Sequence, residues 1–206
     1  MDDYFYEPAK GHGLPHDPFK AIVAPRPIGW ISSRDRAGNV NLAPYSFFNA
    51  FGSTPPMVGF GSQGWKDSVR NIKETGEFVT NFPSKELAEA MNRTSAPVAH
   101  EVDEMQLAGL AAAPCRIVQV PRVAAAPAAL ECKLLQIVEL RDLDGHSTDQ
   151  FLILGQVVGV HIAPAFLRDG IFDLRAAHPV MRAGYRGDYA EIGAMFEMLR
   201  PQADQV

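Results

Sequence analysis

Short runs of alternating apolar and polar residues, separated by glycine and proline, make up the first third of the chain. The alternation predicts strands over 28–33 and 40–42. A hairpin loop over 35–39 joins these strands, and Gly38 can supply the positive φ that a tight turn needs. A further strand is predicted over 55–61, because its prolines are confined to its start.

Three more strands are predicted later in the chain. Residues 77–82 alternate between phenylalanine or threonine on one side and valine or asparagine on the other. Residues 130–140 alternate at first, and Leu135 then shifts the phase, which predicts a β-bulge. A turn at 144–145 leads into a long strand over 151–162, whose internal glycines are typical of a bend at a barrel corner.

Helical spacing of apolar positions is confined to short segments. Residues 66–75 place their apolar side chains on one face and end before Gly76, the usual residue at a helix C-terminus. A second helix is predicted over 85–92, with Ser84 as its cap. Two further helical segments are predicted, one turn within 101–109 and a closing helix over 191–199.

Many short strands, hairpin loops and few helices predict a mainly β fold, an α+β β-barrel with helical decorations. The stretch over 111–129 is rich in alanine and proline and is predicted to be extended. Four of its apolar side chains need burial: Ile117, Val118, Val120 and Val123. No repeat or linker divides the chain, so one domain over 1–206 is expected, with an N-terminal arm over 1–19.

Composition and charge narrow the class of function. The 206 residues are 47% hydrophobic and 21% charged, so a core can form without disulfides or metal. A net charge of −5 without a basic block argues against nucleic-acid binding. The longest apolar stretch, over 151–163, is too short to span a membrane, and the acidic N-terminus shows no signal peptide. A cytoplasmic protein is expected, with Cys115 and Cys132 as buried thiols.

A glycine motif over 59–64 matches the GxGxxG pattern of dinucleotide-binding loops, between a predicted strand and a predicted helix. A Rossmann domain is not favoured, because βα alternation does not continue and Glu77 stands at the start of the next strand, not its end. The same segment differs from the GxSxG nucleophile motif at Phe60. The histidines lack metal-ligand spacing, and His161 is interpreted as a hydrogen-bonded barrel residue.

Candidate binding residues concentrate in the block over 25–68. The hydroxyl and ammonium groups that a dianionic phosphate needs are offered by Ser32, Ser33, Ser62, Lys66 and Ser68. The apolar walls that a flat ring system needs are offered by Trp30, Tyr45, Phe47 and Phe48. From spacing alone, a second interpretation is equally good: the aromatic residues form core and the serines lie in turns.

Three segments carry a specific pattern: RPIGWISS over 26–33, NLAPYSFFN over 41–49 and KDS over 66–68. In order and spacing they resemble the flavin reductase-like family, the FMN-binding split barrels that include flavoredoxin. The resemblance extends to the strand over 76–81 and to an arginine–glycine–tyrosine segment over 179–185, whereas residues 95–128 match poorly.

The resemblance implies a split barrel of Greek-key type and a homodimer with FMN near the subunit interface. It also implies electron transfer between NAD(P)H and flavin, in which the flavin does the chemistry and no side chain is catalytic. By position, five residues fall on the phosphate side: Ser32, Ser33, Ser62, Lys66 and Ser68. Asp67 is an orienting residue at the helix start. The ring is lined by Ala43, Pro44, Tyr45, Ser46, Phe47, Phe48 and Asn49, with Ser46 and Asn49 nearest its polar edge.

One position departs from the family pattern. Many short-chain members carry a glycine–aspartate–histidine triplet before the last long strand, implicated in nicotinamide binding, where this chain has Thr148, Asp149 and Gln150. Gln150 cannot become cationic, which weakens the expected nicotinamide contact. Three functions therefore stay open. The first is an NAD(P)H:flavin oxidoreductase, and the second is a flavoredoxin-like electron-transfer protein that works with a redox partner protein. The third is a small-ligand barrel that binds no flavin.

Overall fold

The computed structural model describes residues 3–202, and most of its regular structure is β. The strands are β1 (Gly29–Arg34), β2 (Val40–Tyr45), β3 (Phe48–Ser53), β4 (Pro56–Gln63), β5 (Glu77–Asn81), β6 (Ala112–Ala113), β7 (Arg122–Val123), β8 (Ala128–Arg141), β9 (Ser147–Ile162), β10 (Leu167–Arg168), β11 (Ile171–Phe172), β12 (Val180–Arg182) and β13 (Tyr189–Glu191). The α-helices are α1 (Phe19–Ile22), α2 (Asp67–Thr75), α3 (Ala88–Arg93) and α4 (Glu104–Leu107). Short 3₁₀ turns cover Pro8–Lys10, Lys85–Leu87 and Pro164–Phe166.

Seven strands form one antiparallel sheet in the order β2-β1-β5-β8-β9-β4-β3. The two strands at the ends of this order, β2 and β3, are joined by only Ser46 and Phe47, so the sheet must curl until its edges approach. The Gly61 N–H donates to the Phe47 carbonyl at 2.7 Å and fixes this junction to β4. The predicted mainly β fold with helical decorations is confirmed.

The glycine motif over 59–64 lies mostly within β4, an antiparallel strand between β3 and β9. A dinucleotide-binding βα unit needs a parallel strand, so the structure excludes that interpretation. A Cβ on Gly59 would approach the Leu154 side chain to 2.8 Å and the Phe51 ring to 2.9 Å. Gly59 is therefore explained by close packing across the sheet.

The two predicted hairpins are present. At the first, Asp35 Oδ1 accepts the N–H groups of Gly38 at 2.7 Å and Asn39 at 2.8 Å, and Gly38 has a φ of +103°. At the second, the register of β8 against β9 shifts between Leu134 and Gln136. The residue between them, Leu135, is the predicted β-bulge, and the prediction is confirmed.

The core fills the barrel and extends under α2. The helix buries Val69 and Ile72 against the aromatic rings of Phe60 and Phe78 inside the barrel. It ends at Gly76, whose φ of +74° and N–H bond to the Ile72 carbonyl match the predicted C-terminal cap. The amphipathic pattern therefore predicts the position of α2, and Lys66, Asp67 and Ser68 lie at its N-terminus.

The predicted closing helix over 191–199 is wrong. After β13, residues 192–202 have no regular secondary structure, and residues 193–202 are exposed at every position. An isolated helix of this length is marginal in water, and the apolar side chains that it would bury are exposed: Met195, Phe196, Met198 and Leu199. Of the helices described over residues 3–202, none is both long enough and apolar enough to cross a membrane.

Two other segments differ in detail from prediction. The helix predicted over 85–92 is split into a 3₁₀ turn and α3, and Ser84 occupies the N-cap position without a side-chain capping bond. The stretch over 111–129, predicted to be extended, is extended only in part: strands cover 112–113, 122–123 and 128–129, and bends cover 116–120. Ile117, predicted to be buried, is 47% exposed, whereas Val118, Val120 and Val123 are buried as predicted. Both cysteines are free thiols, Cys132 buried and Cys115 only half-buried.

Glu131 on β8 holds the irregular 111–123 segment against the barrel. Its buried carboxylate accepts three backbone N–H bonds, from residues 116, 117 and 118, at 2.7–2.9 Å. His161 Nε2 lies 2.6 Å from the same carboxylate, as expected for a hydrogen-bonded barrel histidine. Burial alone would raise the pKa of Glu131, but the backbone bonds and His161 lower it to about 2.

We expect Glu131→Gln to lower the free energy of unfolding at pH 7 by roughly 2–4 kcal/mol, because a neutral amide cannot satisfy all these donors. The folded pKa lies below the unfolded value of about 4.3, so the carboxylate's contribution is present above that value and is lost as the pH falls toward 2. Denaturant unfolding at pH 7 and pH 3 should show the difference between wild type and variant shrinking at the lower pH.

Glu139→Gln is the matched control, because Glu139 lies on the same strand with a partly exposed side chain and pairs with Arg141. Its effect should be much smaller at both pH values. A wild-type-like Glu131→Gln, or a loss that does not change with pH, would contradict the role assigned to Glu131.

Candidate functional site

A cleft of about 480 Å³ opens between the barrel and the segments that follow β5 in sequence. Its walls are β2, the N-terminus of α2, the loop over 94–98 and the first residue of α4. The volume lies in the range of small-molecule sites, roughly 300–1,000 Å³. Five residues of the predicted site line this cleft: Ala43, Pro44, Tyr45, Lys66 and Ser68.

The N-terminus of α2 is the positive end of the cleft. Lys66 is the N-cap residue, is exposed, and forms no ion pair among residues 3–202. Ser68 lies buried in the first turn, where its Oγ accepts a bond from the Asn41 side-chain amide at 2.8 Å. The unpaired N–H groups of a helix start attract anions, and the ammonium adds a full positive charge. This end of the cleft can bind a phosphate.

Asp67 stands between these two residues, and its charge is already compensated. Its carboxylate pairs with Arg70 one turn later and lies 3.0 Å from His100 Nδ1. The other ring nitrogen of His100 lies 3.1 Å from the Asp35 carboxylate, so both contacts are hydrogen bonds only when the ring is protonated. Asp67 is therefore held in place by Arg70 and by its contact with His100.

The Asp35–His100–Asp67 bridge also fixes one wall of the cleft. It ties the loop that contains residues 94–98 to the β1–β2 hairpin and to the start of α2. Burial would raise the pKa of Asp35, but hydrogen bonds from Asn39, His100 and Gly38 lower it to about 2, which keeps this carboxylate ionised.

Tyr45 closes the inner end of the cleft as a neutral phenol. The ring is buried against Phe60 at a centroid distance of 4.6 Å. Burial raises the pKa of Tyr45, and hydrogen bonds to Ser68 and Ser62 offset only part of the increase. Ser62 itself donates to the Gly64 carbonyl at 3.0 Å and does not line the cleft.

Glu104 lines the cleft, although no pattern in the sequence pointed to it. Its carboxylate is buried and accepts the Leu42 N–H at 2.9 Å. Burial raises the pKa of Glu104 despite that bond, and the charges of Asp67 and Asp103 raise it further. The neighbouring residue Asp103 has a structural role: it caps α4, and its side chain accepts bonds from two backbone N–H groups. Nothing in the residues over 94–98 indicated a binding wall.

Three residues of the predicted site lie in β1, away from the cleft. Ser32 donates to the Pro121 carbonyl at 2.7 Å, and Ser33 accepts from the Asn71 amide at 3.3 Å; both are fully buried. Trp30 is also fully buried, and its Nε1 donates to Thr94 Oγ1 at 2.9 Å. The three side chains are buried because β1 lies between β2 and β5 in the sheet. They do not line the cleft, although Trp30 contacts Thr94, which does.

The rest of the aromatic run follows Tyr45 out of the cleft. Ser46 and Phe47 form the connection to β3, and Phe47 is 44% exposed. Asn49 is exposed, and its Oδ1 accepts the Ala50 N–H at 2.8 Å. Phe48 turns instead toward Gly29, where a Cβ would approach its ring to 2.6 Å, and lines a separate apolar groove. The run thus divides into exposed and packed members.

The chain is similar to known proteins over most of its length. The model of the family described as Flavin reductase like domain matches residues 23–175. An uncharacterized protein of Halalkalibacterium halodurans is 37% identical over 190 residues, which cover 89% of each chain. The range matched by the family model includes all seven strands of the main sheet and every residue that lines the cleft.

Two solved structures have the same fold. Nitrilotriacetate monooxygenase component B from Bacillus cereus is 29% identical, with a TM-score of 0.82 over 87% of this chain and 90% of that chain. Flavoredoxin of Desulfovibrio vulgaris (Miyazaki F) is 23% identical, with a TM-score of 0.75 over 84% of this chain and 90% of that chain. The predicted split-barrel fold is confirmed, and the chain belongs to the flavin reductase-like family.

Proposed function

We propose that the protein is an FMN-binding oxidoreductase of the flavin reductase type, which accepts hydride from NAD(P)H at the flavin ring. One observation carries the proposal: the cleft joins an unpaired ammonium at a helix N-terminus to the aromatic segment that begins at Tyr45. FMN has the matching shape, with a dianionic phosphate at one end and a flat ring at the other. Membership of a flavin-binding family supports the same ligand.

The phosphate end rests on Lys66 and Ser68. Lys66 supplies the positive charge and Ser68 a hydroxyl and a backbone N–H group in the first turn of α2. Asp67 opposes an anion less than an unpaired carboxylate would, because Arg70 pairs with it. Glu104 opposes it less than an exposed acid would, because its raised pKa favours the neutral form.

The ring end rests on Ala43 through Asn49. Ala43 and Tyr45 line the cleft, and Phe47 offers an exposed apolar face next to them in the chain. Ser46 and Asn49 are the polar groups available to bond the ring's polar edge. Bound FMN supplies the redox chemistry, whereas the side chains named here bind the cofactor, orient it and exclude water from one face.

The second candidate function is a flavoredoxin-like electron-transfer protein without its own NAD(P)H activity. Gln150 favours it, because an uncharged amide stands where many family members have a histidine. Residues 149–150 lie beside the turn that leads from β4 to Lys66. The Gly64 N–H donates to the Asp149 carbonyl at 2.8 Å, and Gln150 lies opposite Gln63 in the sheet. A redox partner protein would then supply the electrons. For both candidate functions we propose a homodimer and a cytoplasmic location.

An anaerobic absorption spectrum separates these functions. The protein is incubated with FMN, desalted, and measured before and after NADH and then NADPH are added. We expect retained flavin that bleaches with one of the two nucleotides. Flavin that is retained but stays yellow would favour the electron-transfer function, and Gln150→His should then increase the rate of bleaching. Loss of all flavin on desalting and in a binding titration would contradict both.

Lys66→Ala should raise the Kd for FMN by about 10- to 100-fold, because a charge-assisted bond to a phosphate contributes roughly 1.5–3 kcal/mol. Fluorescence titration of FMN measures the change. Lys73→Ala is the matched control, since Lys73 is exposed in the last turn of the same helix. Equal Kd values for both variants would remove Lys66 from the phosphate site.

Asn49→Ala should leave the Kd for FMN within a few fold of wild type but change the rate of flavin reduction, because Asn49 is assigned to the polar edge of the ring and not to the phosphate. Stopped-flow bleaching under anaerobic conditions measures this rate. Ala50→Ser, on the next exposed residue, serves as the control. Identical reduction kinetics for Asn49→Ala and wild type would exclude Asn49 from the site.

A further inference from the structure

The C-terminal tail, defined as residues 193–202, carries a cluster of apolar side chains in solvent. Phe196 is 83% exposed, Met198 and Leu199 are each 82% exposed, and Met195 is 51% exposed. The segment has no regular secondary structure, so no helix or strand of its own covers these side chains. Four large apolar residues within five positions, all exposed, are unusual on a soluble surface and mark a contact site.

The same chain carries an apolar groove that nothing in the described residues fills. The groove measures about 510 Å³ and lies where β5, β8 and β9 end against the C-terminal segment after β11. Its surface is formed by Ile28, Phe48, Phe82, Leu130, Val160 and Phe172, among others. No charged side chain lines it, so the chemistry it recognises is hydrophobic.

The tail and the groove are adjacent, yet the tail does not enter its own groove. Ile192, directly before the tail, lines the groove, so the tail begins at the rim. From there the chain passes Arg175, whose Nε donates to Met195 Sδ at 3.3 Å, and Arg175 is not a groove residue. Two matching apolar surfaces on one chain, each exposed, are the arrangement that a two-fold dimer satisfies by reciprocal exchange.

We propose that, in the homodimer of the proposed function, the C-terminal tail of each protomer fills the apolar groove of the other. The inference rests on the homodimer in the proposed function and identifies what holds it together. The ten residues of the tail can reach about 33 Å when extended, enough to cross between neighbouring protomers.

The area that the exchange would bury is sufficient for a stable dimer. Covering the four apolar side chains removes roughly 400–500 Å² per tail from water. Two tails, together with the groove surface that they cover, then bury about 1,600–2,000 Å², the size of a standard specific interface. The tail carries only Glu197 and Arg200 as charged groups within residues 193–202, so little charge is desolvated.

Disulfide trapping between two differently tagged chains tests the exchange directly. One chain carries Phe196→Cys and the other carries Val160→Cys or Ile162→Cys, both exposed groove residues, and the two are expressed together. After mild oxidation, we expect a reductant-sensitive species that contains both tags. Leu143→Cys replaces the groove cysteine in the control, because Leu143 is fully exposed at a distant hairpin tip. Absence of a mixed-tag species at both groove positions, or equal trapping by Leu143→Cys, would overturn the proposal.

Sedimentation equilibrium provides the second readout. Serine at all four apolar tail positions should raise the Kd of the dimer at least about tenfold. Serine at Tyr4 and Phe5, exposed aromatics of the N-terminal arm, is the matched control and should leave the Kd unchanged. FMN retention measured on the same samples separates the two proposals: trapping without flavin binding would reject the proposed function alone, and flavin binding without trapping would reject the tail exchange alone.

Discussion

The structure depends on one constraint of chain connectivity. The strands at the two ends of the sheet order, β2 and β3, are linked by only Ser46 and Phe47. A flat seven-stranded sheet would hold these strands far apart, so the short link requires the sheet to curl into a barrel. The curl brings β2 beside the N-terminus of α2, and the cleft forms there. The link follows directly after Tyr45, which lines the cleft, so barrel closure and the candidate site meet at adjacent positions in the chain.

Electrostatics then decides what the cleft can bind. Two acids lie in its walls, and an anion would be repelled if both carried uncompensated charge. Asp67 is paired with Arg70 and His100, and burial shifts Glu104 toward its neutral form. Among the residues that line the cleft, Lys66 is the one basic side chain, and it forms no ion pair within residues 3–202. The balance favours an anionic ligand although the whole chain is acidic.

The part of the chain with the weakest pattern forms much of this site. Residues 94–98 and Glu104 line the cleft, within or beside the stretch that resembles the family least. Their position depends on long-range bonds: Trp30 to Thr94, His100 to two carboxylates, and Glu131 to the backbone over 116–118. Each partner lies at least 13 residues away in sequence, so no local pattern indicates these contacts.

The sequence by itself determined the mainly β architecture, the hairpins, the bulge at Leu135 and the helix that ends at Gly76, because alternation, turn residues and caps act over a few positions. It also selected Tyr45, Lys66 and Ser68 through a family pattern. Only the tertiary structure decided that Ser32, Ser33 and Trp30 are buried supports, that Glu104 faces the cleft, and that residues 192–202 are not helical. Those outcomes depend on which distant surfaces cover a side chain, and burial against distant surfaces is not encoded in local spacing.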